Sequence, residues 1–208
     1  MSKSFFDRAY RTNTQQAVEE LYDDWAGTYD RDLTDSGYVT PRRCAAALAG
    51  ILADRQAPIF DFACGTGMSG AALAEQGFDI LDGVDLSDAM LQQADRRGIY
   101  RRLRKVQPDE ALGIRPGDYA AITAVGAISP GAAPASYVDE LLSGLAPGGL
   151  LVLSYNDLTL PVPGFLSRLE RAIDEGRVRQ RFREHGDHIL QRGSKSTVYV
   201  LEKLERKD

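Results

Sequence analysis

Residues 58–70 read PIFDFACGTGMSG, a short apolar run that breaks into three glycines, Gly65, Gly67 and Gly70, with G-x-G-x-x-G spacing. An apolar run of this length followed at once by such a turn predicts a buried strand feeding a helix. Glycine in the turn admits positive φ and lets a ligand come close to the main chain. One residue is out of character: Asp61, an acid near the end of the strand. A pyrophosphate held by the turn and the helix N-terminus would be repelled by a carboxylate there, whereas a cationic ligand would be favoured. The choice of ligand therefore rests on that acid.

The same rhythm continues downstream. The run 66–77 is a helix closed by Gly77, FDILDGVDL (78–86) a second strand, and Ser87 the N-cap of the helix DAMLQQADRRG. IYRRLRKV and DYAAITAVG read as third and fourth strands, SYVDELLSGL as a helix stopped by Pro147-Gly148-Gly149, and LLVLSY as a fifth strand. Strands alternating with helical crossovers specify a mostly parallel, doubly wound sheet. After the helix FLSRLERAIDEG, the segments RVRQRFREHG and STVYVLEKL alternate polar and apolar residues. They predict a hairpin that adds an antiparallel strand at the sheet edge. Upstream, QAVEELYDDWAGTYD has apolar residues at helical spacing and ends near Gly27; a second helix is expected with Thr40 as N-cap and Pro41 at its first position.

The chain has 208 residues, a formal net charge of −5 and 43% hydrophobic residues, which suits one α/β domain and gives no whole-chain attraction to nucleic acid or anionic membrane. The domain divides into an N-terminal helical cap, 1–55, and a Rossmann-like core, 56–208. The basic clusters Arg101–Lys105 and Arg177–Arg183 read as solvated strand faces. Cys44 and Cys64 form no disulfide framework and are expected as buried small hydrophobes. The N-terminus, MSKSFFDRAYRTNTQQ, has no apolar signal core, so a cytoplasmic protein is expected.

S-adenosylmethionine (SAM) carries a sulfonium and an ammonium and no phosphate, so it would tolerate Asp61. Asp85, at the end of strand two, suits the paired hydroxyls of a ribose in either a SAM or a nicotinamide cofactor. Taken together, IFDFACGTG, GVDLSDAML, LAPGGLLVLS and the opening YDDWAGTYD resemble the motifs of the class I, seven-strand SAM-dependent methyltransferases, in the family's order. Within that group YRRL, GAISPGAAP and the ending EHG…STVYVLE are similar to the methyltransferase-like proteins named for the Williams–Beuren chromosomal region.

The resemblance implies SAM as cofactor and S-adenosylhomocysteine as product. Asp61, Ala63, Gly65, Thr66 and Gly67 would cradle the methionine half, Asp85 the ribose, and Leu86, Met90, Val106 and Gln107 the adenine, with Val125 near the reactive methyl and Tyr29 folding over from the N-terminal segment. Two positions depart from the family pattern. Ala63 replaces a loop glycine, tolerable where φ stays negative, and Gln107 stands where an acid would accept from the adenine amino group. The candidates for a catalytic group are Tyr29, Asn156 and His185. The pair His185 and His188 with Asp187 between them reads as ordinary surface, and no metal is expected. The end of strand four, VGAISP, lacks the tetrad of exocyclic-amine nucleic-acid methyltransferases, so the expected acceptor is a small molecule, with a protein side chain second. The alternatives are an NAD(P)-dependent oxidoreductase and a non-catalytic SAM-binding regulator.

Overall fold

Apolar runs and capped helices assemble around one seven-stranded sheet. The structure, a computed structural model, describes residues 15–108 and 110–205; the segment 1–14, most of the stretch read above for a signal core, lies outside them. Among the described residues three helices come first: α1 (Gln15–Trp25), α2 (Tyr29–Asp35) and α3 (Thr40–Ala49). Then follow β1 (Ile59–Phe62), α4 (Met68–Glu75), β2 (Leu81–Asp85), α5 (Asp88–Arg96), β3 (Tyr100–Lys105) and β4 (Ala121–Ala124). The chain closes with α6 (Tyr137–Ser143), β5 (Leu150–Asn156), α7 (Phe165–Asp174), β6 (Val178–Ile189), a 3-10 turn (Leu190–Arg192) and β7 (Ser194–Lys203).

The strand order is β3-β2-β1-β4-β5-β7-β6, with β1 to β5 parallel and β7 antiparallel to both of its neighbours. The reversed strand therefore sits one place inside the edge. Its sequence explains this: Ser196–Leu201 is buried throughout, whereas β6 carries Arg179, Gln180 and Arg181 in solvent. Both outer strands, β3 and β6, are the charged ones, which blunts pairing with another sheet.

Alternation along the strands feeds two cores. Leu150 and Val152 pack with α3 and α4, while Leu151 and Leu153 pack with α6 and α7. Cys44 and Cys64 are free and buried, at 2% and 4% exposure. Among the described residues no helix is long and apolar enough to cross a membrane.

Local capping follows the sequence at one helix and not at another. Ser87 Oγ accepts from Met90 N at 3.0 Å and caps α5. Thr40 is not a cap: Val39 holds that position, without a side-chain bond, and Thr40 is the first helical residue. Its hydroxyl is drawn away by long-range partners, His188 Nδ1 at 2.8 Å and Ser196 Oγ at 3.0 Å.

Candidate functional site

In a parallel sheet the turns that follow the strands gather at one edge. Here the residues after β1 (Ala63, Gly65), β2 (Leu86), β3 (Val106, Gln107) and β4 (Val125, Gly126) ring an open cavity of about 900 Å³, mouth included. Asp85, Met90, Tyr22, Tyr29 and Tyr137 complete its wall. Nine of the residues expected at the cofactor thus meet on one cavity: Tyr29, Ala63, Gly65, Asp85, Leu86, Met90, Val106, Gln107 and Val125. Asp61, Thr66 and Gly67 do not line it.

The placement of Asp61 corrects the argument made from its charge. It is 0% exposed, and three hydroxyls donate to it: Ser69 and Tyr100 at 2.6 Å to Oδ2, and Thr123 at 2.6 Å to Oδ1. Burial raises its pKa and those three bonds act against the rise. A buried acid is tolerable here because the protein itself supplies its donors. Tyr100, the first residue of β3, is the partner that sequence reading missed. It also explains Gly70, where a Cβ would collide with the Tyr100 hydroxyl.

Ala63 also differs from expectation. Its φ is +51°, and it is the single non-glycine residue at positive φ among those described. The glycine of the family pattern would sit there without strain; alanine carries a cost of roughly 1–2 kcal/mol.

Asp85 is 8% exposed and faces the cavity. Its Oδ2 accepts from Gly65 N at 2.8 Å and its Oδ1 from Ser87 N at 2.9 Å. Burial raises its pKa, partly offset by these backbone donors. Its two oxygens stand as acceptors at the cavity wall.

The N-terminal segment is tied across this edge by polar bonds. Lys105 Nζ reaches Glu19 at 2.8 Å and Asp88 at 3.0 Å, and Ser87 Oγ donates to Asp23. Asp30 accepts from Thr66 Oγ1 and pairs with Arg97, whose Nε donates to Thr66 O at 2.7 Å. Trp25, Tyr22 and Tyr29 cluster beneath these ties, with Trp25 and Tyr29 edge to face at 4.6 Å. Burial, then Tyr22, pushes the Tyr29 hydroxyl well above its ordinary pKa.

A second cavity, of about 560 Å³ with its mouth, adjoins the first and shares Tyr22, Tyr29 and Gly126 with it. Trp25, Leu33, Tyr38, Ser129, Asn156 and His188 also line it. Asn156 is on this wall, but its Oδ1 accepts from Leu158 N, Thr159 N and Thr159 Oγ1, which holds the turn after β5. His185 lies outside both cavities, half-exposed, with Nε2 2.8 Å from Asp157 Oδ1. The two histidines are in β6 rather than a turn, and the register of that strand shifts between Asp187 and Ile189, which turns His188 and Ile189 both into the buried side. His188 therefore points inward, 7% exposed, while Asp187 pairs outward with Lys195 at 2.5 Å.

Residues 59–149 match a family profile described as a methyltransferase domain. Human methyltransferase-like protein 27 is 40% identical over 137 residues, covering 64% of this chain and 56% of that protein. The chain thus matches about half the length of this curated relative. The backbone is similar to that of a Burkholderia thailandensis 1,6-didemethyltoxoflavin-N1-methyltransferase, solved with bound 1,6-didemethyltoxoflavin and S-adenosylhomocysteine. The TM-score is 0.62 at 19% identity, over 99% of this chain and 92% of that one. It is also similar to the [4+2]-cyclase SpnF, with a TM-score of 0.70 at 15% identity, over 94% of this chain and 98% of that one.

Proposed function

We infer that this chain is a class I, seven-strand methyltransferase that transfers a methyl group from SAM to an oxygen or nitrogen of a small molecule. The observation that carries this is Asp85, a buried carboxylate on the wall of an otherwise largely apolar cavity. Those oxygens match two ribose hydroxyls. Leu86, Met90 and Val106 offer a flat apolar slot for the adenine, and Gln107 at its rim offers an amide oxygen to the adenine amino group. Gly65 leaves open space where a side chain would stand, so the methionine half has room beside the loop. Asp61, Thr66 and Gly67 support that loop from behind.

When bound, SAM supplies an already activated methyl, so the task of the chain is positioning. Tyr22, Tyr29 and Trp25 cover the junction of the two cavities and exclude water there. We take residues 1–55 as the cap that carries this cover and 56–208 as the core. A small molecule is favoured over a protein side chain as acceptor because the second cavity is walled on several sides. The net charge of −5 supports neither nucleic acid nor membrane as partner, and two buried free cysteines suit a cytoplasmic setting.

A nicotinamide dinucleotide is a poorer fit. The amides of Cys64, Gly65 and Gly67 are committed to Val84 O, Asp85 Oδ2 and Cys64 O, so they do not cradle a pyrophosphate. A reading without methyl transfer is kept for one reason: SpnF, of similar fold, is a cyclase.

Calorimetry with SAM, S-adenosylhomocysteine and NADH tests the cofactor. The expected result is binding of the first two, lost in Asp85→Ala; binding of NADH alone overturns the proposal. Incubation with radiolabelled SAM and a metabolite extract tests transfer, and absence of protein-dependent label in any product favours the non-catalytic reading.

A further inference from the structure

The second cavity contains a polar device that methyl-donor binding does not use. Arg43 Nη1 donates to Ser196 Oγ at 3.0 Å; Ser196 Oγ lies 3.0 Å from Thr40 Oγ1, and Thr40 Oγ1 lies 2.8 Å from His188 Nδ1. Ser196 and Thr40 are both 0% exposed, so each hydroxyl proton needs an acceptor inside this chain of groups. A guanidinium only donates. The Ser196 proton must therefore go to Thr40, and the Thr40 proton to His188 Nδ1. One tautomer of His188 satisfies this, with Nδ1 accepting and the ring proton on Nε2. The opposite arrangement would leave the Ser196 proton buried without an acceptor among the described residues.

The ring is also fixed in direction. Tyr38 packs edge-on against it at 5.2 Å, and Val39 N donates to His188 O at 3.0 Å. With Nδ1 turned to Thr40, Nε2 is left toward the cavity that His188 lines. Around it stand Tyr22, Trp25, Tyr29 and Tyr38, and no lining residue of this cavity carries a charged side chain among those described. Enclosing an unpaired charge in such a place is costly, whereas a flat neutral ring gains contact on every wall.

We propose that this cavity is the acceptor site for an uncharged heteroaromatic molecule bearing a ring carbonyl, and that His188 orients it by donating its Nε2–H to that carbonyl. The assignment rests on the methyltransferase reading for the word acceptor; the binding site itself does not. Burial, helped by the Arg43 charge, lowers the His188 pKa to about 4, which keeps the ring neutral in the working range. His188 is then a donor that positions the acceptor.

Two measurements on the full chain test this. Long-range ¹H–¹⁵N spectra of labelled protein, with His185→Gln to assign the two histidines, should show His188 neutral with its proton on Nε2. A proton on Nδ1 overturns the proposal. Titrations with 2-quinolone, naphthalene and 2-naphthoate, with and without S-adenosylhomocysteine, should place 2-quinolone about fivefold tighter than naphthalene, the worth of one hydrogen bond. Naphthoate should bind weakest. His188→Leu should abolish the preference for the carbonyl, and His188→Gln, which keeps an N–H donor, should restore part of it. Neither substitution should alter S-adenosylhomocysteine affinity. Equal affinities for the three compounds, or no binding of 2-quinolone, overturn the proposal even where S-adenosylhomocysteine binds. Failure of S-adenosylhomocysteine alone strikes only the methyltransferase reading.

Discussion

Ala63, at φ +51°, stores strain in the loop that carries Gly65. Ala63→Gly should relieve it and stabilise the protein by about 1 kcal/mol, since the relief outweighs the added freedom of the unfolded chain. For a chain of this size that is a rise of about 2–4 °C in Tm, read by calorimetric or circular-dichroism melting. His188 makes a separate prediction about pH. Its folded pKa, about 4, lies below its ordinary value of 6.5, so its contribution is complete above pH 6.5 and is lost as pH falls through 4. The loss amounts to about 3 kcal/mol, and His188→Gln should remove it. Asp61 and Asp85 act with the opposite sign: their raised pKa values make the fold lose their contribution as pH rises through them. Urea midpoints of wild type and His188→Gln, compared at each pH from 7 to 4, isolate the histidine.

Elements, unlike single residues, are held here by unequal means. The sheet is locked by two buried cores, while α1 and α2 are held over the cavity mainly by aromatic contacts and half-exposed polar ties. Ion pairs of that exposure contribute little to global stability, on the order of 0–1 kcal/mol. Arg97→Ala should therefore leave Tm nearly unchanged yet speed amide exchange across residues 15–35, measured by hydrogen-exchange mass spectrometry; unchanged exchange there would show that Asp30 is not a tie. The succession of strands and helices and the Ser87 cap were legible because apolar patterning and capping are local signals. Thr40 was not, because its hydroxyl is claimed by residues 148 and 156 positions away. Asp61 was seen but misread: its donors Ser69, Tyr100 and Thr123 converge only once three strands and a helix are in place. His188 escaped because its difference from His185 depends on β6 extending to Ile189.

At the scale of the whole molecule, ligand binding and stability are linked. A ligand present at a hundred times its Kd stabilises the folded state by about 2.7 kcal/mol. S-adenosylhomocysteine should raise Tm by about 5–10 °C on that basis, and Asp85→Ala should erase the rise while folding normally. A thermal-shift series over ligand concentration checks both. The lining of the first cavity was readable in advance, because its residues follow consecutive strands. The second cavity was not readable, because it is assembled from α1, α2, the loop after β4 and the far end of β6.

Cys44 and Cys64 give the molecule two internal clocks. Burial pushes the Cys44 thiol up to about 12 and the Cys64 thiol well above its ordinary value, so an alkylating reagent meets neither a reachable nor a reactive sulfur while the structure is closed. Modification of Cys64 then times the opening of the loop beside the cavity, and modification of Cys44 times the departure of α3 from the sheet. A cofactor analogue that slows the first clock without touching the second would separate breathing at the pocket from unfolding of the whole, with no label introduced.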